Sequence, residues 1–302
     1  MNRDARPAKL LTPESAMALP AVIVVSSFVA RGSVGARAAF ALERLGHRVW
    51  TLPTVLLPWH PGHGRAHRHN IPDDHFADLA GDLAGARWLK EVGAIMTGYF
   101  ASPAQVEAAA RLVAAVKAAN PAALHLCDPV LGDNGSLYVP EPVAIAQRDT
   151  LLPIADLATP NRFELGWLTG RTVEDMTSLI EAARVLGPAE VVVTSAPAVM
   201  RGKIATALVN ARDTLVAENL LVTGATSGSG DLFAALFVAR KLAGATAEAA
   251  LASAAATTFE IIARTAKAGG DELDLAAEQL AIVNPVASVD IRRFAAARAR
   301  PA

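Results

Sequence analysis

Six short, largely apolar runs mark the first two thirds of the chain, at residues 21–25, 49–55, 94–97, 123–127, 155–158 and 190–194, without the alternation of a half-exposed strand. Strands of that kind are buried on both faces, and many such strands are accommodated together in a parallel sheet flanked by helices. Helical stretches stand between the runs. Residues 38–45 close at Gly46, residues 73–90 read as a helix, and Ser102-Pro103 opens another that runs to Ala119. Strand-helix-strand order makes the connections right-handed crossovers, so the carboxyl ends of these strands and the loops after them collect on one rim. The expected fold class is α/β, with a doubly wound, mostly parallel central sheet. Residues 206–209 and 215–222, joined by a turn at 210–213, read as antiparallel edge strands, and the alanine-rich residues 232–242, 245–266 and 271–280 as closing helices. The alanine there reports helix propensity and nothing about function.

Composition narrows the partners. With 302 residues, of which 52% are hydrophobic, the chain can bury a sizeable core. A formal net charge of -1 offers no general attraction to nucleic acid or to an acidic membrane, which leaves a small molecule as the expected partner. No apolar run reaches the roughly 18 residues of a membrane-spanning helix. The single cysteine, Cys127, cannot form an internal disulfide and reads as a packed small residue closing a strand. The first twenty residues lack the apolar core of a signal peptide, so a cytoplasmic location is expected. No internal repeat or composition break divides the chain. A flexible arm over residues 1–20, one folded domain over 21–285 and a basic C-terminal tail over 286–302 are the expected divisions.

The rim carries the chemistry. Residues 224–231, Gly-Ala-Thr-Ser-Gly-Ser-Gly-Asp, run straight into an apolar helix. A glycine-rich turn at a helix start offers unobstructed N–H groups at the positive end of the helix dipole, which suits a phosphate. Asp231, placed to cap that helix, opposes the charge of any phosphate there, but it makes sense as the acceptor of a proton from a hydroxyl attacking the phosphate. A tight turn with an Asp cap is the other reading, and the octet alone leaves both open. The loop at residues 58–69 holds four of the seven histidines, among them His60 beside Gly62. Their spacing fits no common zinc signature, and a loop of this length in a compact domain reads as a cover over a ligand. Ser27 and Tyr99 fall at strand ends, as does Asp128, while Asp133-Asn134-Gly135 reads equally as a turn. Asn161 and Glu164, three apart at a helix start, either face one ion or phosphate or form a capping box.

Taken together, these residues resemble the ribokinase-like superfamily and, within it, the pyridoxal kinases. The resemblance covers roughly residues 21–285 and rests on Gly228-Ser229-Gly230-Asp231, on residues 127–133 (Cys-Asp-Pro-Val-Leu-Gly-Asp), on Thr97-Gly98-Tyr99, on residues 160–165 (Pro-Asn-Arg-Phe-Glu-Leu) and on the Ser27 turn. It implies a three-layer α/β/α sandwich that phosphorylates the 5′-hydroxymethyl group of pyridoxal with ATP. By the same resemblance, Asp231 is the base and Gly228, Ser229 and Gly230 form the anion hole. Asp128 and Glu164 hold Mg²⁺ or its waters, and Asn161 assists at the phosphates. Ser27, His60, Gly62 and Tyr99 contact or wall in the pyridine ring, while Thr194 and Ser195 begin the nucleotide side. A monovalent cation as further cofactor and a homodimer are also implied. The chain departs from the pattern at Phe28 and Ala36, both expected beside the ring, and at Ser229 in place of threonine. Hydroxymethylpyrimidine kinase is the nearest rival, a sugar kinase is more remote, and a catalytically silent vitamin binder has no use for Asp231.

Overall fold

The strands are β1 (Ala21–Arg31), β2 (Val49–Trp59), β3 (His69–Asn70), β4 (Val92–Thr97), β5 (Leu124–Cys127), β6 (Gly132–Asp133), β7 (Ser136–Leu137), β8 (Leu157–Ala158), β9 (Glu190–Ala196), β10 (Lys203–Asn210), β11 (Thr214–Leu220) and β12 (Asp290–Phe294). The helices are α1 (Ala39–Arg44), α2 (Asp73–Ala84), α3 (Pro103–Ala119), α4 (Glu141–Ala146), α5 (Arg162–Thr169), α6 (Met176–Val185), α7 (Ser229–Leu242), α8 (Ala247–Lys267) and α9 (Gln279–Val283). This is a computed structural model, and it describes residues 19–133, 135–224 and 227–294. The arm expected over residues 1–20 therefore lies outside the described residues except for Leu19 and Pro20.

Among the described residues one sheet runs in the order β12-β11-β10-β9-β8-β5-β4-β1-β2-β3, and a separate hairpin pairs β6 with β7. From β2 through β1, β4, β5 and β8 to β9 the pairing is parallel. At the two edges, β3 and β10 to β12 are antiparallel. The chain passes from β1 to β2 on one side and then to β4 on the other, so a topological switch point falls beside β1.

Successive residues of β1 explain the missing alternation. Val22 and Val24 pack with α1, α7 and α8 on one face, whereas Ile23 and Val25 pack with α2 and α3 on the other. Both layers are apolar, so residues 21–25 of the strand are apolar throughout (Ala21, Val22, Ile23 and Val25 are 0% exposed). A third cluster joins α5 and α6 to β9, β10 and β11. The α/β/α sandwich is thus built from helices on both faces of a mostly parallel sheet.

Several boundaries differ from the sequence reading. β1 does not end at Ser26-Ser27. It continues to Arg31 past a register shift against β2, where Ser26 pairs with Pro53 and Phe28 with Leu56, so β2 carries the extra residue. The buried Thr54 lies in that bulge, and its hydroxyl donates to Tyr99 O at 2.7 Å. The stretch read as a basic tail enters the sheet, because Asp290–Phe294 pairs antiparallel with β11; residues 295–302 lie outside the described ones. Of the helix expected over 271–280 only the last residues are helical, in α9, and α4 and α6 were not anticipated.

Candidate active site

The order of strands fixes the order of side chains along the rim. From one flank to the other come His60 after β2, Ser27 in β1, Tyr99 after β4, Asp128 after β5, Asn161 and Glu164 after β8, and Thr194 and Ser195 in β9. Ile204 near the start of β10 and Asn219 near the end of β11 lie beyond them. All of these, with Gly228, Ser229, Gly230 and Asp231, line one cavity of about 1030 Å³. Gly62 is the exception. It lies outside the cavity wall and acts on it indirectly, donating its N–H to Nδ1 of His60 at 3.1 Å.

The glycine loop meets the cavity at the start of α7. Gly228, at φ 79°, occupies the N-cap position and no side chain caps the helix. Asp231 is therefore not the cap the sequence suggested but sits in the first turn of α7. A Cβ on Gly228 would stand 2.9 Å from Ser33 Oγ and 3.0 Å from Ser33 O, so the loop after β1 presses against the anion loop. That loop returns to β1 through a bridge between Phe28 and Gly35, and a Cβ on Gly35 would stand 2.3 Å from Ser27 Oγ. The Gly35 N–H lies toward the Asp231 carboxylate and favours its ionised form. Gly35 thus serves the site in a way that its place in a Gly-containing turn did not reveal.

Three carboxylates crowd the centre. Burial pushes Asp231 up to about 6, although the Gly35 N–H and its own N–H favour the ionised form. Asp128 is held well above the usual carboxylate range by burial first and then by the charges of Asp231 and Glu164. Glu164 is pushed up to about 8 by burial against the pull of three backbone N–H groups. Those N–H groups belong to Leu131 (2.9 Å) and Gly132 (3.4 Å) on Oε1 and to Asn161 (2.8 Å) on Oε2. Asn161 Oδ1 returns the bond by accepting from Glu164 N at 2.9 Å, and Asn161 Nδ2 donates to Gly132 O at 2.8 Å. The capping box is therefore real, and it also ties the segment after Asp128 to α5. Cys127 is buried and pushed up to about 12 by burial, which leaves it an unreactive thiol at neutral pH.

At the His60 flank, Tyr99 is fixed by Thr54 and by Ser26 Oγ, which accepts Tyr99 N–H at 3.1 Å. The Arg68 guanidinium lies over the Tyr99 ring, 5.1 Å from its centroid. At the other flank Leu220, Val222, Phe259 and Ile262 make an apolar slot. Tyr138 and the α8 residues Phe259 and Ile262 belong to the wall but were not singled out, and Arg68 joins it from the histidine loop, where the histidines drew the reading. Neither of the two departures expected beside the ring lines the cavity. Phe28 packs against the α7 and α8 side of the core under Arg37, 5.9 Å from its centroid, and Ala36 is buried in the same cluster. Among the described residues no group of three His, Cys, Asp or Glu side chains is disposed to hold a metal on its own.

Fold and site together define a small-molecule kinase of ribokinase-like architecture. The family profile described as phosphomethylpyrimidine kinase matches residues 88–275. The pyridoxal kinase PdxY of Leifsonia xyli subsp. xyli is 35% identical over 271 residues, covering 87% of this chain and 96% of that protein. The pyridoxine/pyridoxal/pyridoxamine kinase of Bordetella bronchiseptica is 38% identical over 272 residues, with coverage of 87% and 96%. The structure of pyridoxal kinase from Leishmania donovani in complex with ADP and pyridoxamine superimposes with a TM-score of 0.85 at 28% identity, covering 91% of this chain and 99% of that one. The chain belongs to the pyridoxal kinase family of the ribokinase-like superfamily.

Proposed function

We propose that the chain transfers the γ-phosphoryl group of ATP to the 5′-hydroxymethyl oxygen of pyridoxal, giving ADP and pyridoxal 5′-phosphate. The observation that carries this reading is that Asp231 and the uncapped start of α7 face one cavity between two ligand-sized flanks. The hydroxyl oxygen bonds to phosphorus as the bond to the ADP oxygen breaks, and the hydroxyl proton passes to Asp231. With its carboxyl pushed up only to about 6, Asp231 is ionised at neutral pH yet basic enough to take that proton. Gly228, Ser229 and Gly230 present backbone N–H groups to the moving phosphoryl group, whose charge is the chief thing to be stabilised.

Ser27, His60 and Tyr99 wall in the pyridine ring, with Gly62 holding His60. Asn161, Thr194 and Ser195 take the phosphate side of ATP, and the slot of Leu220, Val222, Phe259 and Ile262 takes its base. The crowding of the buried Asp128 and Glu164 with the half-buried Asp231 supports a cation among them, and Mg²⁺ is commonly bound by one or two carboxylates together with substrate phosphates. Asp128 would hold it directly, and Glu164, whose oxygens serve backbone N–H groups, through water. Such an ion neutralises the charge that develops between the β- and γ-phosphates. Residues 21–294 act as one kinase unit, since β12 completes the sheet beyond residue 285. A homodimer is part of the reading, supported by Leu56 and Trp59, exposed at 39% and 37% near the β2 edge. A cytoplasmic location is supported by the lone free cysteine, and no helix among the described residues is long and apolar enough to cross a membrane.

The matching family profile is described as phosphomethylpyrimidine kinase, and hydroxymethylpyrimidine, a pyrimidine alcohol, is therefore kept as a second substrate class. One assay separates the two. ADP release with ATP and Mg²⁺ should be faster with pyridoxal than with hydroxymethylpyrimidine. Asp231→Asn should bind pyridoxal normally and lose on the order of 10²–10⁴ in turnover. Equal turnover in both proteins would remove Asp231 from the mechanism.

A further inference from the structure

The loop that carries His60 is tied to a segment near the other end of the chain. His63 closes the 3-10 turn Pro61–His63, and its Nε2 lies 2.7 Å from Glu272 Oε1. Beside it Arg31 donates to both oxygens of Asp271, at 2.7 and 2.9 Å, and Asp271 is 4.0 Å from His63 Nδ1. The two pairs differ in setting. Arg31 and Asp271 are 56% and 61% exposed, where an ion pair contributes little. The Glu272 side chain is only 9% exposed, and its Oε2 is buried without a hydrogen-bond partner. Space for it exists because residue 32 is glycine, where a Cβ would stand 2.6 Å from that oxygen. Burying a carboxylate costs free energy unless a partner compensates, and His63 is the hydrogen-bonded partner that Glu272 has.

From His63 the path to the cavity is short. The rings of His60 and His63 meet edge to face, 6.3 Å between centroids. Because Nδ1 of His60 accepts the Gly62 N–H, the neutral ring carries its proton on Nε2, and this ring lines the cavity. We propose that Glu272 is a positioning residue for the vitamin end of the active site. By holding His63 it fixes the Pro61–His63 turn, and through that turn it sets where the His60 ring stands. The proposal rests on the reading that His60 faces pyridoxal.

The test compares His60→Ala, His63→Ala, Glu272→Ala and the double variant His63→Ala/Glu272→Ala by steady-state kinetics with ATP and pyridoxal. Loss of one hydrogen bond to a charged group predicts a rise of about tenfold in the KM for pyridoxal in each single variant. The KM for ATP and kcat should stay within about twofold, a split that general loosening of the fold does not produce. The double variant should be no worse than either single one, because both substitutions break one contact. Glu272→Gln, which keeps an acceptor oxygen, should recover most of the affinity. His63 lies in an exposed turn, so His63→Ala will fold even if Glu272→Ala does not. An unchanged pyridoxal KM in His63→Ala, or equal rises in both KM values, overturns the proposal. An unchanged pyridoxal KM in His60→Ala overturns instead the reading on which it rests.

Discussion

At the scale of single residues the site depends on Gly35 and Gly228, where an added Cβ would meet Ser27 and Ser33 at 2.3 and 2.9 Å. Gly35 has φ 62°, a conformation L side chains rarely adopt, and it contacts Ser27 so closely that a methyl group has no room. Gly35→Ala should push the loop away from β1 and withdraw its N–H from Asp231. The expected outcome is a fall in kcat of at least about tenfold with a Tm loss of several degrees, read by ADP release and thermal unfolding. Legibility was uneven at this scale. Asp231, Asp128 and the Asn161-Glu164 pair were visible because charged residues stood at strand ends or in a short motif. Arg68 and Phe259 were not, because what brings them to the cavity is a loop path and a helix packing angle. Phe28 and Ala36 were expected beside the ring from the positions they hold in the family pattern. Instead Phe28, in the continuation of β1, and Ala36 both pack with the α7 and α8 side of the core.

At the scale of elements, helix α3 was readable to the residue, because Ser102 caps it by accepting Gln105 N–H at 3.2 Å and Pro103 starts it. Strands at the centre were readable for the same kind of reason, since burial on both faces leaves only apolar residues. Edge strand β12 was hidden. Its sequence, Asp-Ile-Arg-Arg-Phe, is that of a solvated segment, and the arginines are satisfied across the sheet, with Arg293 bonded to Asp213 and to Glu248. Arg293→Ala should therefore cost under about 1 kcal/mol, as exposed pairs do. Ending the chain before residue 290 should do far more, because it bares the outer edge of β11, a strand whose residues 214–217 are buried. A lower Tm and concentration-dependent aggregation, followed by light scattering, are the expected results.

At the scale of the whole molecule the buried carboxylates make the ligand-free protein sensitive to base. Glu164 is pushed from 4.5 to about 8 and Asp231 from 3.8 to about 6, so between these limits the folded chain holds protons that the unfolded chain has released. Unfolding free energy then falls as pH rises through this window, and the contribution is fully present only below the unfolded values. The Tm without ligands should drop from pH 5 to pH 8, and Asp128→Asn, by removing one charge from the cluster, should flatten that slope. Added Mg²⁺ with nucleotide should flatten it too, since a cation favours the ionised forms.

The left-to-right succession of strand ends has a consequence for traffic. Vitamin and nucleotide are assigned to separate flanks, with the reacting groups between them, so neither has to pass the other to reach its berth. On that assignment pyridoxal can settle while ADP still holds the opposite flank, and excess pyridoxal is expected to slow turnover, as initial rates at rising vitamin concentration would show.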